Sequence, residues 1–245
     1  MIPPRIVQSP LLLGAAGYYH AFLGIDPVPA RRHEERLRTV FSVPPSRIGL
    51  LRQVHSASAL ELADGDLADG GARRREGDAL WTARPGTGAG VHTADCVPIL
   101  VARRGGPACA AVHAGWRGLA AGVVENTVRR LVDRPGTAAP GDLVAAAGPS
   151  ARGCCYEVGE EVADRLRPLP GGARRLLKGK GPGKWNADLQ ALAVDALVAA
   201  GLSPGRVEAV GPCTICSPSF HSYRREKSLT ARQLSFIYIL WMQEP

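Results

Sequence analysis

The sequence predicts an α+β fold in which mixed β-sheets pack together with helices on the outside. Two observations predict it. Short apolar runs bounded by Gly, Pro or Asp outnumber the amphipathic helical stretches. The two kinds of segment also fail to alternate strictly, so a doubly wound parallel sheet is not expected. The chain has 245 residues, enough for a substantial core, and no internal repeat or long linker divides it. Residues 1–245 therefore read as a single catalytic domain.

The expected strands, in chain order, are 48–54, 88–94, 97–102, 108–113, 143–147, 206–210 and 236–241. Three helices are expected. Leu119, Val123, Val124, Val128, Leu131 and Val132 share one face of 118–132. A second helix covers 157–166. The third, 188–200, gathers Leu189, Leu192, Ala193, Ala196 and Leu197 on one side. Gly/Pro/Arg-rich punctuation at 64–77, 133–142 and 168–184 reads as surface loops, with 178–184 (KGKGPGK) the most flexible.

The formal net charge is +8, and only 4 of the 30 basic residues are Lys. That Arg bias, with abundant Ala and Gly, reads as coding composition. The Arg residues are scattered and no aromatic-interleaved basic stripe occurs, so no nucleic-acid partner is expected. A few Arg at one site suffice for a phosphate-bearing substrate. No apolar run approaches the roughly 20 residues of a membrane span, and the apolar run at 11–13 is too short for a signal peptide. A cytoplasmic protein is expected, with its six Cys reduced and available for metal or catalysis.

Three short stretches carry the chemistry: Gln53-Val54-His55 at the end of an expected strand, Thr93-Ala94-Asp95-Cys96 between two strands, and His113-Ala114-Gly115-Trp116-Arg117-Gly118 between a strand and a helix. Strand ends converge in space, and two imidazoles with one thiolate suit zinc. Three protein ligands leave a fourth position open, as catalytic zinc requires. His55, Cys96 and His113 are thus the candidate metal ligands. Asp95 and Asp78 are candidate acid–base or ligand-orienting carboxylates. Arg117, at the expected helix start, is a candidate catalytic and phosphate-binding cation. Arg52, Arg224 and His92 are further substrate or phosphate candidates. Cys213-Thr214-Ile215-Cys216 has CxxC spacing, but a second CxxC is absent, so a four-Cys zinc site is not expected. Cys154 and Cys155 read as buried thiols near the pocket, and Cys109 as core.

QVH at 53–55, GDALWT at 77–82, HTADCVPIL at 92–100, AVHAGWRG at 111–118, AAGPSARGCCYEVGEEV at 146–162, CT at 213–214 and SYRRE at 222–226 together resemble the YfiH/LACC1 family of laccase-domain (DUF152-type) proteins. The resemblance runs from about Arg52 to the C-terminus. It implies a fold similar to cytotoxic-necrotizing-factor-type catalytic domains and one zinc ion on His55, Cys96 and His113. It also implies phosphorolysis of adenosine, inosine, guanosine and methylthioadenosine, with adenosine deamination as a further, hydrolytic activity. The N-terminal fifth departs from the family. After Tyr19-His20-Ala21-Phe22-Leu23-Gly24 comes Ile25-Asp26-Pro27, without the family's Arg-x-Gly-Gly-type loop.

The expected function is a zinc-dependent purine nucleoside phosphorylase whose partners are purine nucleosides and phosphate, working as a monomer or homodimer. The alternative is a cysteine hydrolase or amidase with Cys96 as nucleophile, since the resemblance extends to trimming of cell-wall peptide precursors. A copper polyphenol oxidase ranks last. A blue copper site plus a trinuclear cluster consumes about ten His, and the chain has six.

Overall fold

The computed structural model describes residues 5–26, 33–63, 67, 75–133, 139–228 and 230–240. Fourteen strands and eight helices are placed among them. A five-stranded sheet contains, in spatial order, β1 (Ile6–Val7), β2 (Tyr18–Leu23), β14 (Gln233–Ile239), β6 (Gly88–Thr93) and β3 (Ile48–Gly49). A six-stranded sheet contains β13 (Val207–Ala209), β9 (Leu143–Ala147), β7 (Val97–Arg103), β8 (Cys109–Ala114), β5 (Ala79–Thr82) and β4 (Ala59–Glu61). The third, three-stranded, has β10 (Glu157–Gly159), β12 (Lys184–Ala187) and β11 (Leu176–Lys178). Both large sheets mix parallel and antiparallel pairs, as the broken alternation of the sequence predicts.

The two large sheets stack face to face. Phe22, Val91 and Ile237 of the first pack on Leu80, Leu100, Ala111, Val144 and Ala146 of the second. Side chains on a strand alternate between faces, so the intervening residues point the other way. Ile99, Val101, Val112 and Ala145 meet α4 (Val123–Val132), α5 (Glu160–Leu166) and α7 (Leu189–Ala199). Leu23, Leu234, Phe236 and Tyr238 meet Leu37 of α2 (His33–Phe41). The order of layers is helix, sheet, sheet, helices. Each large sheet is covered on both faces, which is why its central strands read as unbroken apolar runs rather than as alternating patterns.

Several expectations are corrected. The helix expected over 118–132 is two helices, α3 (Trp116–Ala120) and α4. Gly122 between them has φ +84°, a left-handed conformation that glycine adopts without the Cβ clash. The helix expected over 157–166 starts as β10, because Gly159 ends the extended run and caps α5. The stretch 168–184 holds the short helix α6 (Gly172–Arg175) and the hairpin β11–β12. Its lysines and glycines form the hairpin turn, where the Gly179 N–H donates to Lys184 O at 2.8 Å. The strand expected over 48–54 is only β3, and Arg52 then makes an isolated bridge with Glu76. Much of the loops expected at 64–77 and 133–142 lies outside the described residues. No helix among the described residues is long and apolar enough to cross a membrane.

β2 was not expected, because His20 interrupts its apolar run. That histidine is fully buried, and its Nε2 accepts the Ser9 N–H at 2.8 Å just before α1 (Pro10–Leu13). Burial lowers its pKa from 6.5 to about 4. The unfolded chain therefore takes up a proton before the folded one does. Stability owed to the neutral ring is whole above pH ~6.5 and declines as pH falls toward ~4, by roughly 3 kcal/mol at about 1.4 kcal/mol per pH unit. Urea midpoints of the wild type and His20→Asn, measured from pH 7 to 4, check this. The wild type falls more steeply, and parallel profiles would refute it.

Candidate metal centre

The centre is assembled by strand pairing. β5 and β8 pair antiparallel with Ala79 opposite Val112, and the His113 N–H donates to the Asp78 carbonyl at 2.7 Å. This brings the Asp78 carboxylate beside the His113 ring, whose Nδ1 donates to Oδ1 at 2.8 Å. β7 and β8 pair with Val97 opposite Ala114, so Cys96, one residue before β7, lies next to Gly115. A Cβ added to Gly115 would stand 2.9 Å from Cys96 Sγ and 3.2 Å from His55 Cδ2. Only a glycine leaves room for both side chains there.

His55 arrives on a loop well past β3 rather than at a strand end, and its φ of +60° is left-handed. Such a conformation costs on the order of 1–3 kcal/mol and persists where neighbours fix it. Asp78 does so. Its carboxylate accepts backbone N–H groups of Val54, His55 and Ser56 at 3.3, 3.0 and 2.5 Å and the Ser56 hydroxyl at 2.8 Å. One buried carboxylate thereby shapes the His55 loop and orients His113.

His55 Nε2 lies 3.9 Å from Cys96 Sγ, and the His55 and His113 ring centroids are 4.8 Å apart. One donor atom from each of His55, Cys96 and His113 falls within 4.8 Å of the others. Asp78 occupies His113 Nδ1, which leaves Nε2 as the nitrogen able to meet a metal ion. The donor set, two imidazoles and a thiol, fits a soft or borderline metal ion. Burial opposes charge here, yet the pairing wins. The Cys96 thiol is pushed up by burial but brought down to about 6 by His113 and His55. His113 is pulled down by burial but raised to about 9 by Cys96 and Asp78. Asp78, pushed up by burial, is held at about 2 by its hydrogen bonds from His113 and Ser56.

The three side chains border a cleft of about 460 Å³, lined also by Gln53, His92, Tyr223 and Arg232. That is within the ~300–1,000 Å³ of small-molecule sites. Beneath it, Asp95 sits in the turn between β6 and β7 at φ +86°. It accepts the Thr214 hydroxyl at 2.7 Å, the Ser222 hydroxyl at 3.1 Å and the Arg224 backbone N–H at 2.7 Å. These bonds seat α8 (Tyr223–Glu226) on the cleft rim, with the Arg224 guanidinium 5.0 Å over the Tyr156 ring.

Of the residues singled out from sequence, His55, Cys96, His113 and His92 meet at the cleft. Asp78 and Asp95 stand behind it, their carboxylates filled by protein donors. Arg117 is exposed and lies over Trp116, 4.4 Å from the ring centroid. Arg52 is exposed and paired with Glu76. Neither Arg117 nor Arg52 lines the cleft. Gln53 and Arg232 do line it; Gln53 belongs to the Gln53-Val54-His55 stretch but was given no role there, and Arg232 was not singled out. Gln53 is fixed by the His92 backbone, whose carbonyl accepts its Nε2 at 2.7 Å. Only the long-range approach of the 53–55 segment to β6 could have revealed its place at the cleft.

The cysteine reading is also corrected. Cys154 is exposed and Cys155 half-buried. With Cys213 and Cys216 they form a second group of donor atoms within 4.8 Å of one another, built from one CxxC and one adjacent pair rather than from two CxxC units. Cys109 is buried in β8, as expected.

A family model described as multi-copper polyphenol oxidoreductase laccase matches residues 24–240. The chain is 34% identical over 221 residues to "Purine nucleoside phosphorylase YfiH" of Shigella flexneri, covering 90% of this chain and 85% of that protein. It is 38% identical over 195 residues to "Purine nucleoside phosphorylase" of Aquifex aeolicus, covering 80% and 84%. Among solved structures, the hypothetical protein YfiH of Bacillus licheniformis superposes with a TM-score of 0.82 at 27% identity, covering 98% of this chain and all of that one.

Proposed function

Because the chain belongs to the YfiH family of laccase-like multi-copper polyphenol oxidoreductases, with relatives named purine nucleoside phosphorylase, we propose that it is a zinc-dependent purine nucleoside phosphorylase. Adenosine, inosine, guanosine and methylthioadenosine are its substrates in this reading, and adenosine deamination is a second activity. The observation that carries the reading is the convergence of His55, Cys96 and His113 within 4.8 Å on a cleft large enough for a nucleoside.

His55, Cys96 and His113 would hold the zinc, which when bound supplies a Lewis-acid charge with an open position. The chain's own groups do the rest. Asp78 fixes the His113 tautomer and the His55 loop. It stays ionised, so it orients rather than donates. Asp95 holds α8 in place and is likewise a positioning residue. Arg232 lines the cleft, and Arg224 is held at its rim on Tyr156. These two cations replace Arg117 and Arg52 as phosphate binders. Tyr223, 45% exposed on the same cleft, offers an aromatic face to the purine. A phosphate oxygen bonds to the anomeric carbon as the bond to the purine nitrogen breaks. The electron pair leaves with the purine, which His92, facing the cleft, protonates. Electrostatic stabilisation of the oxocarbenium-like state is the main contribution.

Adenosine incubated with the protein and phosphate is expected to give adenine and ribose 1-phosphate in equal amounts, with inosine marking deamination. Neither product forming with any of the four nucleosides would remove the phosphorylase reading.

One observation favours a second reading. A thiol lowered to about 6 beside a histidine raised to about 9 also describes a cysteine nucleophile, and an amidase built on Cys96 follows. Such an enzyme survives a strong chelator and dies on alkylation. The copper oxidase chemistry in the family's description draws no support from a chain with six His.

A further inference from the structure

Four cysteines outside the cleft have no part in the reaction above. Cys154 and Cys155 lie in the turn before β10, and Cys213 and Cys216 in the turn after β13. Cys216 Sγ is 2.8 Å from Cys155 Sγ and 3.6 Å from Cys154 Sγ. All four sulfurs fall within 4.8 Å of one another. A tetrahedral zinc with bonds of about 2.3 Å places its four sulfurs about 3.8 Å apart, the scale of this cluster. A disulfide needs about 2.05 Å, and all four thiols are free.

We propose that Cys154, Cys155, Cys213 and Cys216 bind a second, structural zinc ion, distinct from the one in the cleft. Binding releases the four thiol protons and leaves a centre of charge −2. Arg225, itself paired with Glu226 at 2.6 Å, braces the turn that carries two of the sulfurs. Its guanidinium donates to the carbonyls of Thr214, Ile215 and Ser217, at 2.6, 3.0 and 3.2 Å, around the Cys213–Cys216 turn. Four protein ligands close the coordination sphere, so this ion takes no substrate. Its work is to staple two turns. Ser150 already bridges Cys213, Thr214 holds Asp95, and Tyr156, next to Cys155, carries Arg224. The staple therefore fixes the wall of the cleft without touching the reacting atoms.

Metal content of the full-length protein, reconstituted with zinc and freed of loose ions, tests this independently of catalysis. The wild type is expected to retain two equivalents, and Cys213→Ser/Cys216→Ser to lose one, with a lower melting temperature. Cys96→Ser is expected to keep the four-cysteine ion, so the cleft account can fail while this proposal stands. Should the double variant not fold, cobalt titration of Cys96→Ser decides. A strong sulfur-to-cobalt charge-transfer band, abolished by zinc, supports the site, and its absence overturns it. Finding only four reactive thiols in the unfolded, metal-stripped wild type, which signals a Cys155–Cys216 disulfide, overturns it too.

Discussion

Replacing Cys96 with Ser is expected to strip the cleft of its metal ion and to lower kcat/KM for adenosine phosphorolysis at least a thousandfold. That corresponds to the loss of about 4 kcal/mol of transition-state stabilisation, a fair share of what a bound metal ion supplies. Serine is nearly the shape of cysteine, and the residue sits at the cleft rather than in the core, so the melting temperature should move little. The hydroxyl cannot replace the thiolate, which the His113 and His55 rings favour by bringing the thiol down to about 6. The metal dependence separates the two catalytic readings. Chelation of the wild type should reproduce the variant's loss, and readdition of zinc should restore activity to the wild type alone. A chelated wild type that keeps full activity, but loses it on alkylation, would make Cys96 a nucleophile instead.

The second large effect comes from a residue that never meets substrate. Asp78→Asn should cost about 3–5 kcal/mol of stability, as expected when a buried charge pair loses one partner, and weaken metal binding roughly 10- to 100-fold. The carboxylate accepts five hydrogen bonds, from His113 Nδ1, three backbone N–H groups and the Ser56 hydroxyl. An amide turned either way presents its NH2 to at least one of those donors. The His55 loop, held at φ +60°, then loses its anchor. The charge has a pH signature as well. The folded carboxylate titrates at about 2 against 3.8 ordinarily, so its contribution is present above pH ~4 and lost as pH falls toward ~2. Denaturation midpoints at pH 7 and 3 should converge between wild type and variant, and a constant gap would contradict the assignment. Because Asp78 acts through His55 and His113, the metal affinity read by competition with a chelator should fall even where the variant is folded.

The convergence of His55, Cys96 and His113 was legible in the sequence for a chemical reason. His55, Cys96 and His113 are metal-binding types; Cys96 and His113 stand at ends of strands that pair, while His55 comes in on a loop. The helix expected at 188–200 and the strand at 143–147 were equally legible, because long apolar faces and short apolar runs are local signals. What was not legible depends on long-range pairing. β5 carries Asp78 to His113 through register with β8, and nothing in 77–82 alone says which of several roles that carboxylate takes. Arg117 and Arg52 neighbour the motifs in sequence, yet neither lines the cleft, because the direction a side chain takes is not set by its distance along the chain. Arg232 reaches the cleft from a segment with no motif, and Gln53, though part of the QVH stretch, reaches it through a contact with β6 that the stretch does not encode. The four-cysteine cluster was not legible because only one of its pairs has CxxC spacing, while the fold supplies the second pair as two adjacent residues on a facing turn. Gly122 explains why one helix became two, since its left-handed φ cannot be seen in the apolar periodicity on either side.

The most direct test of the central claim is anomalous diffraction at the zinc absorption edge from crystals of the zinc-loaded wild type. The account predicts a peak within bonding distance of His55 Nε2, Cys96 Sγ and His113 Nε2, with a fourth ligand that is not a protein atom. A map with no peak there, or with a fourth protein side chain closing the site, would contradict it.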